Sequence, residues 1–207
     1  NYEQMRKILI SDVPNAKRIL EIGAGSGTMV NLLLNDYPVV VGVEPNKRFC
    51  IFAKHQYDID LKQMGYEDLD TEEKYDAIIA LDIIEHLASP WHFLNTIQRL
   101  LENDGIIIIG TPDIGSRSYK LLKKRWYHIR PPHVYYFNDK SFTALCTKSG
   151  LTITKKRFFS WTFPAYYLID ALQKLLFKKT FFSLHFFSFK CRINLFDSKI
   201  YSVRKKS

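Results

Sequence analysis

Four short runs, KRILEIG (17–23), VVVGVE (39–44), YDAIIALD (75–82) and GIIIIGTP (105–112), constrain the fold of this chain more than any other feature. Each is rich in apolar residues and ends on a glycine, a proline or an acid. A strand with one wet face alternates apolar and polar residues. A nearly continuous apolar run has no wet face, so these are strands of a parallel sheet covered on both sides. The covers lie between them: TMVNLLLND (28–36), NKRFCIFAKH (46–55) and PWHFLNTIQRLLEN (90–103) space their apolar residues three and four apart, as helices packed on a sheet do. A weaker run, IDLKQMG (59–65), adds a strand between the second helix and YDAIIALD. The expectation is a doubly wound α/β sheet.

Composition limits the setting. A 207-residue chain with 46% hydrophobic and 25% charged residues can bury one full core, and no repeat or linker divides it, so residues 1–207 are expected to form a single domain. Charge interrupts every apolar stretch before the roughly 20 residues a membrane span needs, and no signal peptide opens the chain, so a soluble, cytoplasmic location is expected. The start at Asn1 points to sequence removed or left out ahead of it. Cys50, Cys146 and Cys191 are too scattered for a metal motif or a disulfide framework and read as fillers. Charge is divided unevenly: residues 1–113 hold 18 acids and 10 bases, whereas residues 114–207 hold 3 acids and 20 bases. The second half is therefore expected to meet an anionic ligand, the alternative being a solvated basic face.

In open sheets of this kind ligands sit at the carboxyl ends of the strands. The first strand ends in LEIGAGSG, where Gly23, Gly25 and Gly27 allow a tight turn and close approach of a ligand to the backbone. A dinucleotide fingerprint needs its third glycine at position 28, which is Thr28, and does not include an acid at Glu21. An acid, any residue, then GxGxG resembles instead the first motif of the class I S-adenosylmethionine-dependent methyltransferases. Their second strand ends in an acid, matched by Glu44 in VVVGVEPN. ALDIIEHLASP (80–90) and LLENDGIIIIGTPD (100–113) resemble the branch of ubiquinone-type O-methyltransferases and of sugar and cell-surface glycan methyltransferases.

The resemblance covers about residues 15–155 and implies a Rossmann-like sheet of seven strands, with LTITKKRFF (151–159) and KIYSVRKK (199–206) sixth and seventh and the last antiparallel. It implies S-adenosylmethionine as cofactor, held in residues 1–113 by Glu21, Gly23, Ala24, Gly25, Gly27, Glu44, Pro45, Tyr66, Glu67 and Asp82. Glu44 would take both ribose hydroxyls, as a carboxylate can from a vicinal diol. One departure stands out: where the family has an acid for the adenine amino group this chain has Gly65, so backbone near Tyr66, or Glu67 or Asp68, would have to serve.

Residues 114–207 would bind the acceptor. SRSYKLLKKRW (116–126) resembles a helix and loop covering the site, and the stretch RWYHIRPPHVYYFN (125–138) follows it. His133, fixed behind Pro131 and Pro132, is the candidate general base for a hydroxyl acceptor, the alternative being a residue that pins a rigid loop. Arg125, Trp126, His128, Arg130 and Tyr135 are the candidate acceptor contacts, and His86 frames the pocket. No metal is expected: Asp82 and Asp113 occupy strand ends used by metal-dependent O-methyltransferases, but the Asn that follows in those enzymes is Ile114 here. Residues 160–197, dense in Phe and in Lys and Arg, read as a helical insertion, either a cap over the site or an element lying on a membrane surface.

The expected function is O-methylation of a saccharide, glycan or lipid-linked, anionic small molecule. RNA methylation is the alternative favoured by the basic half and disfavoured by the lack of an RNA-binding module. A non-catalytic, cofactor-binding regulatory subunit is the other.

Overall fold

The computed structural model describes residues 2–69, 72–164, 166, 173, 190–194 and 196–206. Strands β1 (Arg18–Ile22), β2 (Val39–Val43), β3 (Tyr75–Leu81), β4 (Leu101–Pro112), β5 (Leu151–Phe158) and β8 (Ser198–Lys205) form one sheet in the order β2-β1-β3-β4-β8-β5. β1 to β4 are mutually parallel, and β8 runs antiparallel between β4 and β5. β6 (Trp161–Pro164) and β7 (Lys190–Ile193) pair separately, antiparallel, at the two ends of the insertion. The helical body expected between them lies outside the described residues.

The apolar runs are continuous because both faces of the sheet are buried. Leu20, Ile78, Ile107 and Ile109 point to one face, where Phe93 and Ile97 of α4 (Pro90–Arg99) and Phe142 of α6 (Asp139–Lys148) cover them. Ile19, Ala77, Ile79, Ile106 and Ile108 point to the other, under Met5 and Leu9 of α1 (Tyr2–Asp12) and Met29 and Leu33 of α2 (Thr28–Leu33). α3 (Lys47–Tyr57) packs Ala53 against Val30 and Leu61. α5 (Arg117–Leu122) follows β4.

Two sequence expectations are corrected and one element is added. The main sheet has six strands rather than seven: residues 59–65 contribute a single parallel bridge, Val43↔Lys62, held by Lys62 N–H to the Gly42 carbonyl at 2.9 Å and Glu44 N–H to the Lys62 carbonyl at 3.0 Å. Its polar residues have no second strand to pair with, so the ladder stops there. The helix read as 90–103 ends at Arg99, because Leu101 is already paired with Tyr75 in the sheet. Leu100 and Leu101 are both buried, and helical and strand burial look alike over two residues. α1 was not foreseen. Its buried Asp12 accepts hydrogen bonds from Lys155 and Arg157, both at 2.7 Å, and from the Ser202 hydroxyl at 2.9 Å, tying the first helix to β5 and β8.

Candidate active site

Backbone geometry at the end of β1 makes a receptacle. Gly23 and Ala24 donate their N–H groups to the Val43 carbonyl at 2.9 and 3.0 Å, so the loop starts clamped to β2. Gly23, Gly25 and Gly27 have φ of 69°, 51° and 75°, the left-handed region that side chains disfavour. The three differ in surroundings. A Cβ at Gly23 would stand 2.3 Å from the Ile83 side chain, and one at Gly27 2.8 Å from Ala53 Cβ, whereas one at Gly25 would meet nothing within 4 Å. Gly23 and Gly27 are therefore bare for packing, and Gly25 borders open space.

Two buried carboxylates flank that space. Glu44 accepts from Gly25 N–H at 2.9 Å through Oε2 and from Asn46 N–H at 2.8 Å through Oε1, fixing the tip of the glycine loop. Each oxygen keeps a further lone pair for a ligand. Exposed Pro45 follows it, and Asn46 caps α3 by accepting from Arg48 N–H. Glu21 is buried with Oε2 unpartnered. Burial pushes its pKa up to about 8, the backbone N–H of Val30 opposing and the nearby Glu44 charge adding to the rise. A cation is the group that would relieve it.

Across the cleft, Tyr66 sits in a 3-10 turn, Tyr66–Asp68, packed edge-on to Phe93 with ring centroids 4.9 Å apart. Glu67 Oε2 lies 2.5 Å from where a Cβ of residue 65 would stand. The Glu67 carboxylate thus stands nearest the place a side chain on Gly65 would occupy, with Asp68 Oδ2 3.9 Å from it, and both acids are exposed. Asp82, at the end of β3 with φ of 53°, faces solvent at the mouth of the strands; surrounding protein raises its pKa, and Arg130 and His86 oppose the rise. Tyr2 of α1 reaches the same cleft: burial first, then Glu21, Tyr57 and Asp82, raise its pKa. The sequence carries no signal that brings Tyr2 near these acids, because that depends on where α1 docks.

Where the sequence expects the acceptor, the structure places a buried group that sequence reasoning passed over. Glu85 is 1% exposed; its Oε2 accepts from Thr111 Oγ1 at 3.0 Å, and its Oε1 has no partner. Burial raises its pKa to about 7, with Asp82 adding to the rise. The Glu85 carbonyl accepts from Val134 and Tyr135 N–H at 2.8 and 3.1 Å, which anchors the Pro-Pro-His loop beside it. His86 Nδ1 bonds the Pro132 carbonyl at 2.8 Å, and its ring stands perpendicular to that of His133, with centroids 4.7 Å apart. The sequence reading expects His86 to frame the pocket, and the structure sets it between Pro132 and His133.

His133 is 6% exposed. Arg130 Nε–H donates to its Nε2 at 2.8 Å, and Nδ1 is without a partner. Burial, then Arg130 and His86, push its pKa down to about 4 against an opposing contact with the His128 backbone, so the ring is neutral at ordinary pH. With Nε2 engaged by a guanidinium, this placement gives His133 a donor at Nδ1 rather than a free basic lone pair. His128 is also buried; its Nε2 lies 3.7 Å from Oδ2 of the fully buried Asp197, outside hydrogen-bond range, and burial lowers its pKa to about 4.

The other acceptor candidates separate. Tyr135 is 41% exposed, its hydroxyl on the Ala88 carbonyl at 3.3 Å, and Arg125 is open to solvent in the turn Lys123–Arg125. Trp126 is committed elsewhere: its indole N–H is on Ser118 Oγ at 3.1 Å and its ring packs against Tyr119 and His128, which fastens the loop to α5. Asp113 is also committed, to Gly115 N–H at 2.8 Å and to Lys199 at 3.0 Å, so it does not join Asp82 in a cation site. Among the described residues, one cluster brings three ligand atoms within 4.8 Å of one another: Glu85, His86 and His133.

Comparison with known proteins agrees with this geometry. A family model described as a methyltransferase domain matches residues 4–156. The ubiquinone biosynthesis O-methyltransferase of Bradyrhizobium diazoefficiens is 28% identical over 109 residues, 50% of this chain and 43% of that protein. The protein of the same name from Azorhizobium caulinodans is 31% identical over 110 residues, 50% of this chain and 44% of that one. The match thus spans less than half the length of these relatives. Among solved structures, an S-adenosylmethionine-dependent methyltransferase from Clostridium acetobutylicum superposes with a TM-score of 0.66 at 10% identity, covering 100% of this chain and 91% of that one. The magnesium protoporphyrin IX methyltransferase of Synechocystis, solved with bound SAH, gives 0.66 at 15% identity, covering 100% and 82%. With the family model spanning most of the chain and the sheet order, glycine loop and strand-end acids all in place, this chain belongs to the methyltransferase domain family.

Proposed function

We propose that this chain binds S-adenosylmethionine at the Gly25 loop and methylates a hydroxyl of a saccharide or lipid-linked small molecule. The observation that carries the transfer site is the pair of buried, unpartnered atoms Glu85 Oε1 and His133 Nδ1 beside the strand ends. Buried polar atoms are nearly always bonded, so two orphans on neighbouring residues favour a polar group of a substrate between them. The names of the relatives favour oxygen as the atom methylated.

When bound, the cofactor supplies an electrophilic methyl group on a sulfonium. The residues do the rest: Glu21 pairs with the ammonium of the methionine part, Glu44 accepts from the ribose diol, and Glu67 and the backbone near Tyr66 serve the adenine amino group. Glu85 takes the proton of the acceptor hydroxyl, because a base works best with a pKa near the operating pH and its own stands at about 7. His133 donates through Nδ1 and aims the acceptor oxygen. The test is transfer of labelled methyl to a pool of nucleotide sugars, lipid-linked saccharides and quinone precursors. Label should enter one class, and Glu85→Gln should slow the transfer by about 10² to 10⁴ while calorimetric binding of S-adenosylhomocysteine persists; no binding of that product by the intact protein would sink the proposal.

The Glu85, His86 and His133 cluster supports a second reading. Two imidazoles and a carboxylate are a donor set that divalent metals accept, and His86 Nδ1 on the Pro132 carbonyl would hold its ring in place as outer partners of metal ligands do. Arg130 beside His133 opposes a cation there. Dialysis against a chelator separates the readings: activity that survives it excludes the metal.

A further inference from the structure

A second pocket opens on the same face of the sheet as Glu85. Thr111 on β4 bonds Glu85, Lys199 on β8 is the register partner of Thr111, and Phe158 on β5 is the register partner of Lys199. Register partners on neighbouring strands share a face, and strands lie about 4.8 Å apart, so Phe158 stands roughly 10 Å from Thr111. There a pocket of about 460 Å³ is lined by Asp113, Arg117, Lys120, Phe158, Phe196 and Lys199.

Its chemistry divides into a fixed part and a free part. Lys199 is held by Asp113 at 3.0 Å and Asp139 at 2.8 Å and lies over the Phe158 ring, 5.6 Å from its centroid, so its charge is already matched. Phe158 and Phe196 meet edge to face with centroids 5.0 Å apart and leave 41% and 50% of their surface exposed. Arg117 and Lys120, three positions apart on α5, are exposed and have no acidic partner among the described residues. Two uncommitted cations over an apolar aromatic floor, beside a lysine whose charge is cancelled, suit an anion attached to a ring or hydrocarbon body.

We propose that this pocket is the anchor for a phosphate on the acceptor, with Arg117 and Lys120 binding the phosphate and Phe158 and Phe196 receiving the apolar or ring portion next to it. The inference rests on the methyl-transfer reading only for what happens at the other end, where the hydroxyl lies by Glu85, next to Thr111. It moves anion recognition from Arg125 and Arg130, favoured by the sequence, to α5. The phosphate has two sources, a soluble phosphorylated metabolite and a lipid headgroup.

Phenyl phosphate is the probe, titrated by NMR into the full chain saturated with S-adenosylhomocysteine, with inorganic phosphate alongside. Binding should weaken at least tenfold in Arg117→Ala/Lys120→Ala, and Phe158→Ala should weaken phenyl phosphate while leaving inorganic phosphate unchanged. Sedimentation with phosphatidylglycerol and phosphatidylcholine vesicles assigns the source: capture by the anionic vesicles alone, lost in the double variant, places the phosphate on a lipid, and its absence with phenyl phosphate bound places it on a soluble molecule. All three substituted side chains are exposed, so folding is not at stake. The proposal is overturned if neither phenyl phosphate nor anionic vesicles bind, or if the double variant binds them as the wild type does. S-adenosylhomocysteine affinity, measured on the same samples, reports separately on the methyltransferase reading.

Discussion

Replacing Glu21 with Gln should stabilise the protein at alkaline pH and abolish a proton release that accompanies cofactor binding. In the folded chain the pKa of Glu21 stands at about 8 against an ordinary 4.5, because the side chain is buried and Glu44 is near. Between those values the folded state holds a proton that the unfolded state has lost, so stability falls as pH rises through the window. A gap of about 3.5 pH units corresponds to about 5 kcal/mol lost by pH 8 to 9 relative to pH 4. Glu21→Gln carries no such dependence, and its melting temperature should exceed that of the wild type increasingly above pH 6. Binding adds the second readout. At pH 7 about nine tenths of Glu21 is protonated, and an ammonium placed against it favours the carboxylate, so close to one proton should leave per cofactor bound. Calorimetry in phosphate and in Tris, whose ionisation heats differ widely, measures that number directly. Identical binding enthalpies in the two buffers, or release that persists in Glu21→Gln, would refute the reasoning.

The glycines separate packing from ligand approach. Gly27→Ala meets Ala53 and Gly25→Ala meets nothing, and both pay for a left-handed backbone at about 1–2 kcal/mol. Gly27→Ala should therefore melt lower than Gly25→Ala, whereas Gly25→Ala should lose the larger share of cofactor affinity, by calorimetry at least tenfold. His133→Ala, which removes a positioning donor and not the base, is expected to lower the rate of the chemical step by about 10² in single-turnover assays with little change in cofactor affinity. In Glu85→Gln the rising limb of the pH–rate profile near pH 7 should vanish. Asp12→Asn should cost about 1–3 kcal/mol in urea unfolding. Burial would raise the pKa of Asp12, but Arg157, Lys155 and Ser202 outweigh it and hold it below its ordinary value. Its contribution is accordingly present above pH 4 and lost as pH falls through the folded pKa.

The strand ends on one side of the cleft were legible in the sequence because apolar runs fix them, so the places of Glu21, Gly23, Gly25, Gly27 and Glu44 in the fold follow from where KRILEIG and VVVGVE stop. Glu67 was legible only as one of several substitutes for Gly65; its position over the bare backbone is a matter of side-chain direction. The acceptor side was harder to read. Glu85 and His86 are adjacent in a 3-10 turn, and nothing in the letters distinguishes the buried acid from an exposed one. Trp126 looked like a pocket aromatic because an indole next to Arg125 and His128 serves equally as anchor or contact, and only packing against Tyr119 decides it. Residues 59–65 looked like a strand because local propensity carries no record of whether a partner lies alongside.

The place of β8 in the sheet has a consequence for how the protein is made. β4 carries four consecutive isoleucines, and one of its edges is closed only by β8, which follows about 85 residues later in the chain. At ribosomal rates of about 5–20 residues per second that edge waits roughly 4–17 s for its partner. An open, isoleucine-rich edge is a template for pairing with any other chain. Nascent molecules crowded on one message are thus exposed to cross-pairing over this interval. Yield in the cell should therefore respond to holdase chaperones and to slow codons downstream of β4 more steeply than the equilibrium stability of the finished protein would suggest.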